Sequence, residues 1–482
     1  MSFGLMWDSK SVEAAASGLC RGGDWVSPGR ISIDTRSLNP GDVFLAIRGA
    51  NFDGHCFVRE AFDRGAVAAV VSRESASTAD YGPVIVVEDT LQALHDIAAF
   101  RMKNVHAKVV AITGSAGKTT TKYMLCRVLS KFGKVHYNEA NYNNLIGMPL
   151  YAANTPADAE FVVMEMGMNA PKEIDTLSRI ARPDVAVITN VGPAHLEFFG
   201  SIEGILAAKL EIFNHVKSCA AAVINFDSAY YGEMRAVAER YCSNVISFGA
   251  GAGAGVQILR GDKQECSPTV NVKYLNRELH LSLKNCSRHL VYSAAVAVAV
   301  GCIFALDLGQ VGYALEGFAP IDGRGKVHIT TFKGREIVLI DDAYNANPLS
   351  MVVAIENLSA LEHAQICRKV AVLGDMLELG SSSGSYHRSL LGHIARSNID
   401  LVYTVGNHML ELHNVLPKRL RGRHFADYSE ALKRLERVVR PGDCILVKGS
   451  FATKLSLVVR RILEHQEHAT QRSSKTVCMH PG

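Results

Sequence analysis

Apolar runs of four to six residues recur along this chain, each closed by polar or turn residues and followed by a stretch of helical periodicity. Within the first hundred residues they fall at 42–47, 66–71 and 84–87, with helical patterns at 56–64 and 90–103 between them. That alternation predicts a small α/β unit ending near 105–108. From Val109 the order becomes strand, glycine loop and helix, followed by further apolar runs at 161–164, 185–188 and 220–224. Short apolar runs between helices predict a parallel sheet covered on both faces, with ligands at the carboxyl ends of its strands. A turn-rich joint at 318–325 opens a third alternating region, with strand candidates at 337–340, 370–373, 401–405 and 444–447. The predicted division is therefore 1–107, 108–318 and 319–465, with a polar, aperiodic tail at 466–482 expected to be disordered. The longest apolar stretch, 294–306, is too short and too rich in Ala and Gly to span a bilayer, and predicts a buried helix.

Composition narrows this picture only slightly. An apolar fraction of 48% and a charged fraction of 20% over 482 residues describe a globular chain of several domains. The formal net charge of +4 implies no large basic surface for nucleic acid. The first ten residues lack a basic segment followed by an apolar one, and the 11 cysteines never fall in C-x-x-C spacing. Reduced, buried thiols in a cytoplasmic monomer are the expectation.

The chemistry begins with Thr113, Gly114, Ser115, Ala116, Gly117, Lys118 and Thr119, directly after the apolar run 109–112. Backbone N–H groups of such a loop close on phosphate, the lysine neutralises the β/γ-phosphates, and the threonine hydroxyl can ligate Mg2+. The loop is short, because Ile112 stands where the common motif has its first glycine. Glu165 closes the run 161–164, His195 follows a glycine-proline turn after 185–188, and Lys209 lies on the next helical stretch. Taken singly, each has an ordinary explanation: a capping carboxylate, a loop histidine, a solvated lysine. Their common position at one sheet edge beside Lys118 favours a metal-nucleotide site. In the third region the loop from Asp341 to Pro348 gathers two carboxylates, Tyr344, Asn345 and Asn347, and 373–380 occupies a similar place after a strand.

These motifs together resemble the Mur ligase family. The short loop at 114–121, Asn141 to Pro149 with Asn144, the loops at 341–348 and 373–380, and Lys448-Gly449-Ser450 are similar to the branch that joins D-Ala-D-Ala to a UDP-N-acetylmuramoyl-tripeptide. Segments 34–36 and 40–46, with Gly49 and 53–55, resemble that family's UDP-binding unit. The resemblance implies a UDP-binding domain, a central ATPase domain and a C-terminal Rossmann-like domain. It implies ATP as phosphoryl donor and two Mg2+ ions. Lys118 would bind the β/γ-phosphates, and Thr119, Glu165 and His195 would be metal ligands. Lys209 would carry a CO2-derived carbamate that also binds metal. Arg324 and Asp342 would meet ATP as the third domain closes, while Thr35, Arg36, Ala50, Asn51 and Phe52 would hold UDP. This chain departs from the family pattern at Leu290 and Ser293, where asparagines are usual, and at Phe451, where arginine is common. Three other readings stay open here: a related ligase of Mur or folylpolyglutamate type with another amino substrate, a phosphate-loop nucleotide switch, and a catalytically silent binding module descended from the ligase.

Overall fold

The computed structural model describes residues 7–49, 52–259, 269–272, 276–281, 283, 287–332, 334–363 and 366–464. The tail at 466–482 and the UDP candidates Ala50 and Asn51 lie outside them. Three principal sheets follow one another along the chain. The first has five strands in the order Leu19–Arg21, Val84–Val87, Ala68–Ser72, Val43–Leu45 and Ile31–Ser32, parallel except for the first. Helix α1 (Thr90–Asn104) leads out of it. Asp89 caps α1 by accepting from the backbone N–H groups of Leu91 and Gln92, satisfying donors that a helix start otherwise leaves open.

The central sheet is built on β1 (Lys108–Thr113), which runs into α2 (Lys118–Leu129). On either side of β1 lie β2 (Phe161–Glu165) and β3 (Val185–Ile188), both parallel to it. Every residue of β2 and β3 is buried, as strands covered on both faces require. Seven neighbouring strands pair in parallel, and Thr269–Val272 and Arg277–His280 extend one edge through antiparallel pairings. Helix α3 (Ile202–Leu210) covers one face, and the expected buried helix is α4 (Arg288–Ile303), with 290–301 buried apart from Tyr292.

In the third domain an antiparallel edge strand, Lys326–Phe332, pairs with β4 (Arg335–Asp342). The sheet continues in parallel through other strands that include β5 (Arg368–Gly374) and β6 (Asp443–Lys448), with α5 (Pro348–Ala360) crossing from β4. Separate apolar cores cover its two faces. The edge strand escaped the apolar-run pattern because it alternates, with Val327 and Ile329 exposed.

Packing distinguishes the two joints. One continuous apolar core contains Val43 and Leu45 of the first sheet, Ile97 of α1, and Ala111 and Met164 of the central sheet. Asn154 adds a bracket across the same boundary, accepting from the Ile31 N–H (2.8 Å) and donating to its carbonyl (2.9 Å). The third domain's cores share no residue with that one. Among the described residues no helix is long and apolar enough to cross a membrane. None of the eight described cysteines is in a disulfide, and Cys56, Cys219 and Cys367 are exposed, against the expectation of buried thiols.

Candidate active site

The phosphate loop is shaped by the segment that follows β3. Gly114 has φ +148° and a Cβ there would lie 1.9 Å from the Thr189 hydroxyl oxygen, so only glycine fits. Thr189 Oγ1 donates to the Ala116 carbonyl (2.6 Å), Asn190 Oδ1 accepts from the Ala116 N–H (2.8 Å), and Ser115 Oγ donates to the Gly192 carbonyl (2.9 Å). Gly117, at φ +83°, starts α2, whose N-terminal N–H groups and dipole face the loop. Lys118 Nζ donates to the Gly114 carbonyl (2.7 Å). Burial lowers the Lys118 ammonium from its usual pKa, with Glu165 acting against that shift.

Glu165 ends β2 beside Ile112, which puts it at the carboxyl edge of the sheet. Its Oε1 accepts from Thr119 Oγ1 (3.2 Å) and Asn143 Nδ2 (2.8 Å). The Lys122 ammonium lies 3.2 Å from Oε2 at ion-pair distance but out of hydrogen-bond alignment, leaving Oε2 a buried oxygen without a hydrogen bond. Burial disfavours the Glu165 charge, but Lys122, Lys118, Asn143 and Arg324 outweigh it and hold the carboxyl below its usual range. Lys122 is itself fully buried, one helical turn after Lys118, and donates to the carbonyls of Asn138 (2.6 Å) and Ala140 (3.2 Å).

Lys209 is 2% exposed, not the solvated lysine that composition alone would favour. Its amine is held well below the usual pKa, chiefly by burial and then by the charge of Lys118. His195 adopts φ +63° and brings Nδ1 to 2.6 Å from Glu378 Oε2 of the third domain. That neighbour holds the Glu378 carboxyl below its usual range.

The third-domain loop faces this edge. Asp341 accepts from the Gly323 N–H (2.7 Å), tying the joint to β4. Asp342 pairs with Lys448 of β6 at 2.9 Å, and Lys448 also donates to the Asn345 carbonyl (3.0 Å). Burial raises the Asp342 carboxyl and lowers the Lys448 ammonium, each against its partner's attraction. The Arg324 guanidinium stacks on the Tyr344 ring at 4.1 Å and reaches Thr119 Oγ1 at 3.4 Å. Asn347 caps α5 and donates from Nδ2 to the Ser115 carbonyl (2.9 Å), a direct bridge to the phosphate loop.

These groups enclose a cleft of about 900 Å³. Of the positions singled out from sequence, Ser115, Ala116, Gly117, Lys118, Thr119, Asn144, Glu165, His195, Arg324, Asp342, Tyr344, Asn345 and Asn347 line it. Thr113, Gly114 and Lys209 are not among its lining residues; Thr113 Oγ1 instead donates to the Met166 carbonyl (3.1 Å). Thr35, Arg36 and Phe52 lie on the first domain and do not line it either. Thr35 is buried, Arg36 is forked onto Asp34, and Phe52 is exposed. Leu290 is buried in the core, and Ser293 accepts from Thr121 Oγ1 (3.0 Å). His289 joins the cleft wall, its imidazole pushed down to about 4 by burial and then by Lys448 and Arg324. Phe451 is 67% exposed with its ring 5.9 Å from Tyr344. Sequence reasoning did not single out Lys122, Glu378 or the pairing of Lys448. The helical spacing of Lys122 from Lys118 was the one local signal; the other two need the fold.

A phosphate loop, a carboxylate and a buried lysine at one strand edge, closed by a second α/β domain, define a site for the phosphates of a nucleotide, and the comparisons make the protein an ATP-dependent, ADP-forming ligase. Family models match three stretches: the Mur ligase family catalytic domain at 29–102, the Mur ligase middle domain at 112–301, and the Mur ligase glutamate ligase domain at 325–451. The chain belongs to the Mur ligase family and has its three-domain fold. A relative from Bacillus subtilis (strain 168), UDP-N-acetylmuramoyl-tripeptide--D-alanyl-D-alanine ligase, is 34% identical over 90% of this chain and 93% of its own. The Escherichia coli (strain K12) protein of the same name is 31% identical over 90% and 94%. A crystal structure of MurF from Acinetobacter baumannii superposes with a TM-score of 0.82 at 30% identity, covering 95% of this chain and 99% of that one. MurF from Thermotoga maritima in complex with ADP gives 0.78 at 30%, covering 91% and 98%.

Proposed function

We propose that this chain joins D-Ala-D-Ala to a UDP-N-acetylmuramoyl-tripeptide at the expense of ATP, the step that completes the cytoplasmic pentapeptide precursor of peptidoglycan. The observation that carries the reading is the convergence of Lys118, Thr119 and Glu165 with Arg324, Asp342 and Asn347 across two domains in one cleft. The names and coverage of the relatives support the same substrates. The terminal carboxylate of the tripeptide is a poor electrophile. Transfer of the γ-phosphoryl group to it gives an acyl phosphate and ADP; the dipeptide amine then attacks the carbonyl, and phosphate leaves as the amide forms. Two anions must meet, so the barrier falls with preorganised positive charge, which Lys118 and Arg324 provide.

The donor set fits Mg2+: the buried Oε2 of Glu165, which accepts no hydrogen bond although Lys122 lies at ion-pair distance, and the Thr119 hydroxyl are hard oxygen ligands. Thr119 and Glu165 would hold one ion, and His195 with a carbamylated Lys209 a second. Bound Mg2+ would neutralise phosphate charge in this cleft. Carbamylation needs a neutral amine, whose lone pair forms the N–C bond to CO2 while a proton leaves. Burial, and then the charge of Lys118, hold the Lys209 amine well below its usual pKa and so favour that form. Thr35, Arg36 and Phe52, with Ala50 and Asn51, would hold the UDP end. Asn144, Tyr344 and Asn345 would contact substrate, and the enzyme would act as a monomer in the cytoplasm. An ADP-release assay with a panel of UDP-muramoyl peptides and amino substrates tests the reading. Turnover is expected with D-Ala-D-Ala, and not with D-Glu, L-Glu or meso-diaminopimelate. Turnover with one of those instead overturns the substrate assignment, and rapid ATP or GTP hydrolysis without any UDP-peptide favours a nucleotide switch.

A further inference from the structure

A carboxylate from one domain faces the imidazole of another where the cleft closes. Nδ1 of His195, after β3, is 2.6 Å from Oε2 of Glu378, on the loop after β5. The approach is built into both backbones. His195 and Glu378 each adopt φ +63°, a left-handed conformation that costs a non-glycine residue about 1 kcal/mol or more and persists only where its surroundings impose it. The Glu197 N–H also donates to the Glu378 carbonyl at 3.0 Å, and Gly380 packs against Glu197. Two loops from different domains are thus registered on each other around this pair. The contact is short but off line, since Nδ1 makes no aligned hydrogen bond.

We propose that Glu378 is a positioning residue for His195. By accepting a hydrogen bond from Nδ1–H it would fix the tautomer whose lone pair is on Nε2 and turn that nitrogen toward the cleft, so that the third domain completes a ligand of the central one. A histidine ligand commonly uses a carboxylate in this way, and removing such a partner weakens metal binding about 10- to 100-fold. The inference rests on the reading of His195 as a metal ligand. It adds that metal affinity and domain closure are linked: whatever favours the closed contact tightens metal binding, and bound metal favours closure to the same extent.

Mn2+ binding to the full chain, measured by electron paramagnetic resonance with a non-hydrolysable ATP analogue present, tests this in Glu378→Ala, Glu378→Asp, His195→Ala and the Glu378→Ala/His195→Ala double variant. Thermal melts confirm that each variant folds. Glu378→Ala and His195→Ala are each expected to weaken Mn2+ about tenfold. The double variant should be no weaker than His195→Ala, and Glu378→Asp should recover part of the loss. Wild-type Mn2+ affinity in Glu378→Ala beside a weakened His195→Ala, or additive losses in the double variant, overturns the positioning role and leaves the His195 reading standing. Wild-type affinity in His195→Ala overturns that reading itself.

Discussion

A lysine buried to 2% exposure beside another lysine is an arrangement that folding alone would disfavour. Lys209 therefore offers the sharpest test at the scale of a residue. Lys209→Ala removes a buried amine that has no salt bridge among the described residues, a gain that offsets the cavity it leaves, so the melting temperature is expected to change little while turnover falls at least about 100-fold. With 13C-labelled bicarbonate, the wild-type protein should show a carbamate resonance that the variant lacks, and short carboxylic acids should restore part of the variant's activity. Full activity in Lys209→Ala would remove the carbamate. Lys118, Thr119 and Glu165 were legible in the sequence because each sits at a fixed short distance from an apolar strand, and strand ends are where such sheets place chemistry. Glu378 and the Asp342 partnership of Lys448 were not, since each pairing joins segments far apart in the chain. The burial of Lys209 was hidden for a related reason: nothing near it in sequence reports which helix face is covered.

Among the elements, α5 does two jobs through one side chain. Asn347 caps the helix, accepting from the Ser350 N–H, and its Nδ2 reaches the phosphate loop at Ser115. Different substitutions separate these. Asn347→Ala should lose about 1 kcal/mol in a urea melt, because the cap is gone. Asn347→Ser keeps an oxygen for capping but has no amide to span the cleft, so stability should stay near wild type while the KM for ATP rises severalfold. Unchanged ATP kinetics in Asn347→Ser would show that the bridge does not contribute to nucleotide binding. The strands at 161–165, 185–188 and 401–405 were readable because continuous apolar runs mark burial on both faces. Lys326–Phe332 and Val135–Tyr137 were not; the first is an alternating edge strand and the second short and partly exposed, so neither shows a continuous run.

At the level of the whole molecule, the two joints, near 105–108 and at 318–325, differ in what holds them closed. Opening near 105–108 would pull apart a core shared by Leu45, Ile97 and Ala111, at roughly 25 cal/mol for each Å² of apolar surface exposed. Across the second joint, by contrast, Asn347–Ser115, Arg324–Thr119 and His195–Glu378 are polar contacts that water can replace. The first two domains should move as one body, with the third closing on them about 318–325. Small-angle scattering is expected to show compaction when an ATP analogue and the UDP-peptide are both saturating; superimposable curves would remove the closure. Three thiols that are exposed among the described cysteines make that motion directly measurable. Cys56 lies in the first domain, Cys219 in the second and Cys367 in the third, so the chain carries a native attachment point for a fluorophore or spin label on each. Paired labels would act as a molecular ruler, with the Cys56–Cys219 span constant and both distances to Cys367 changing as the nucleotide is turned over.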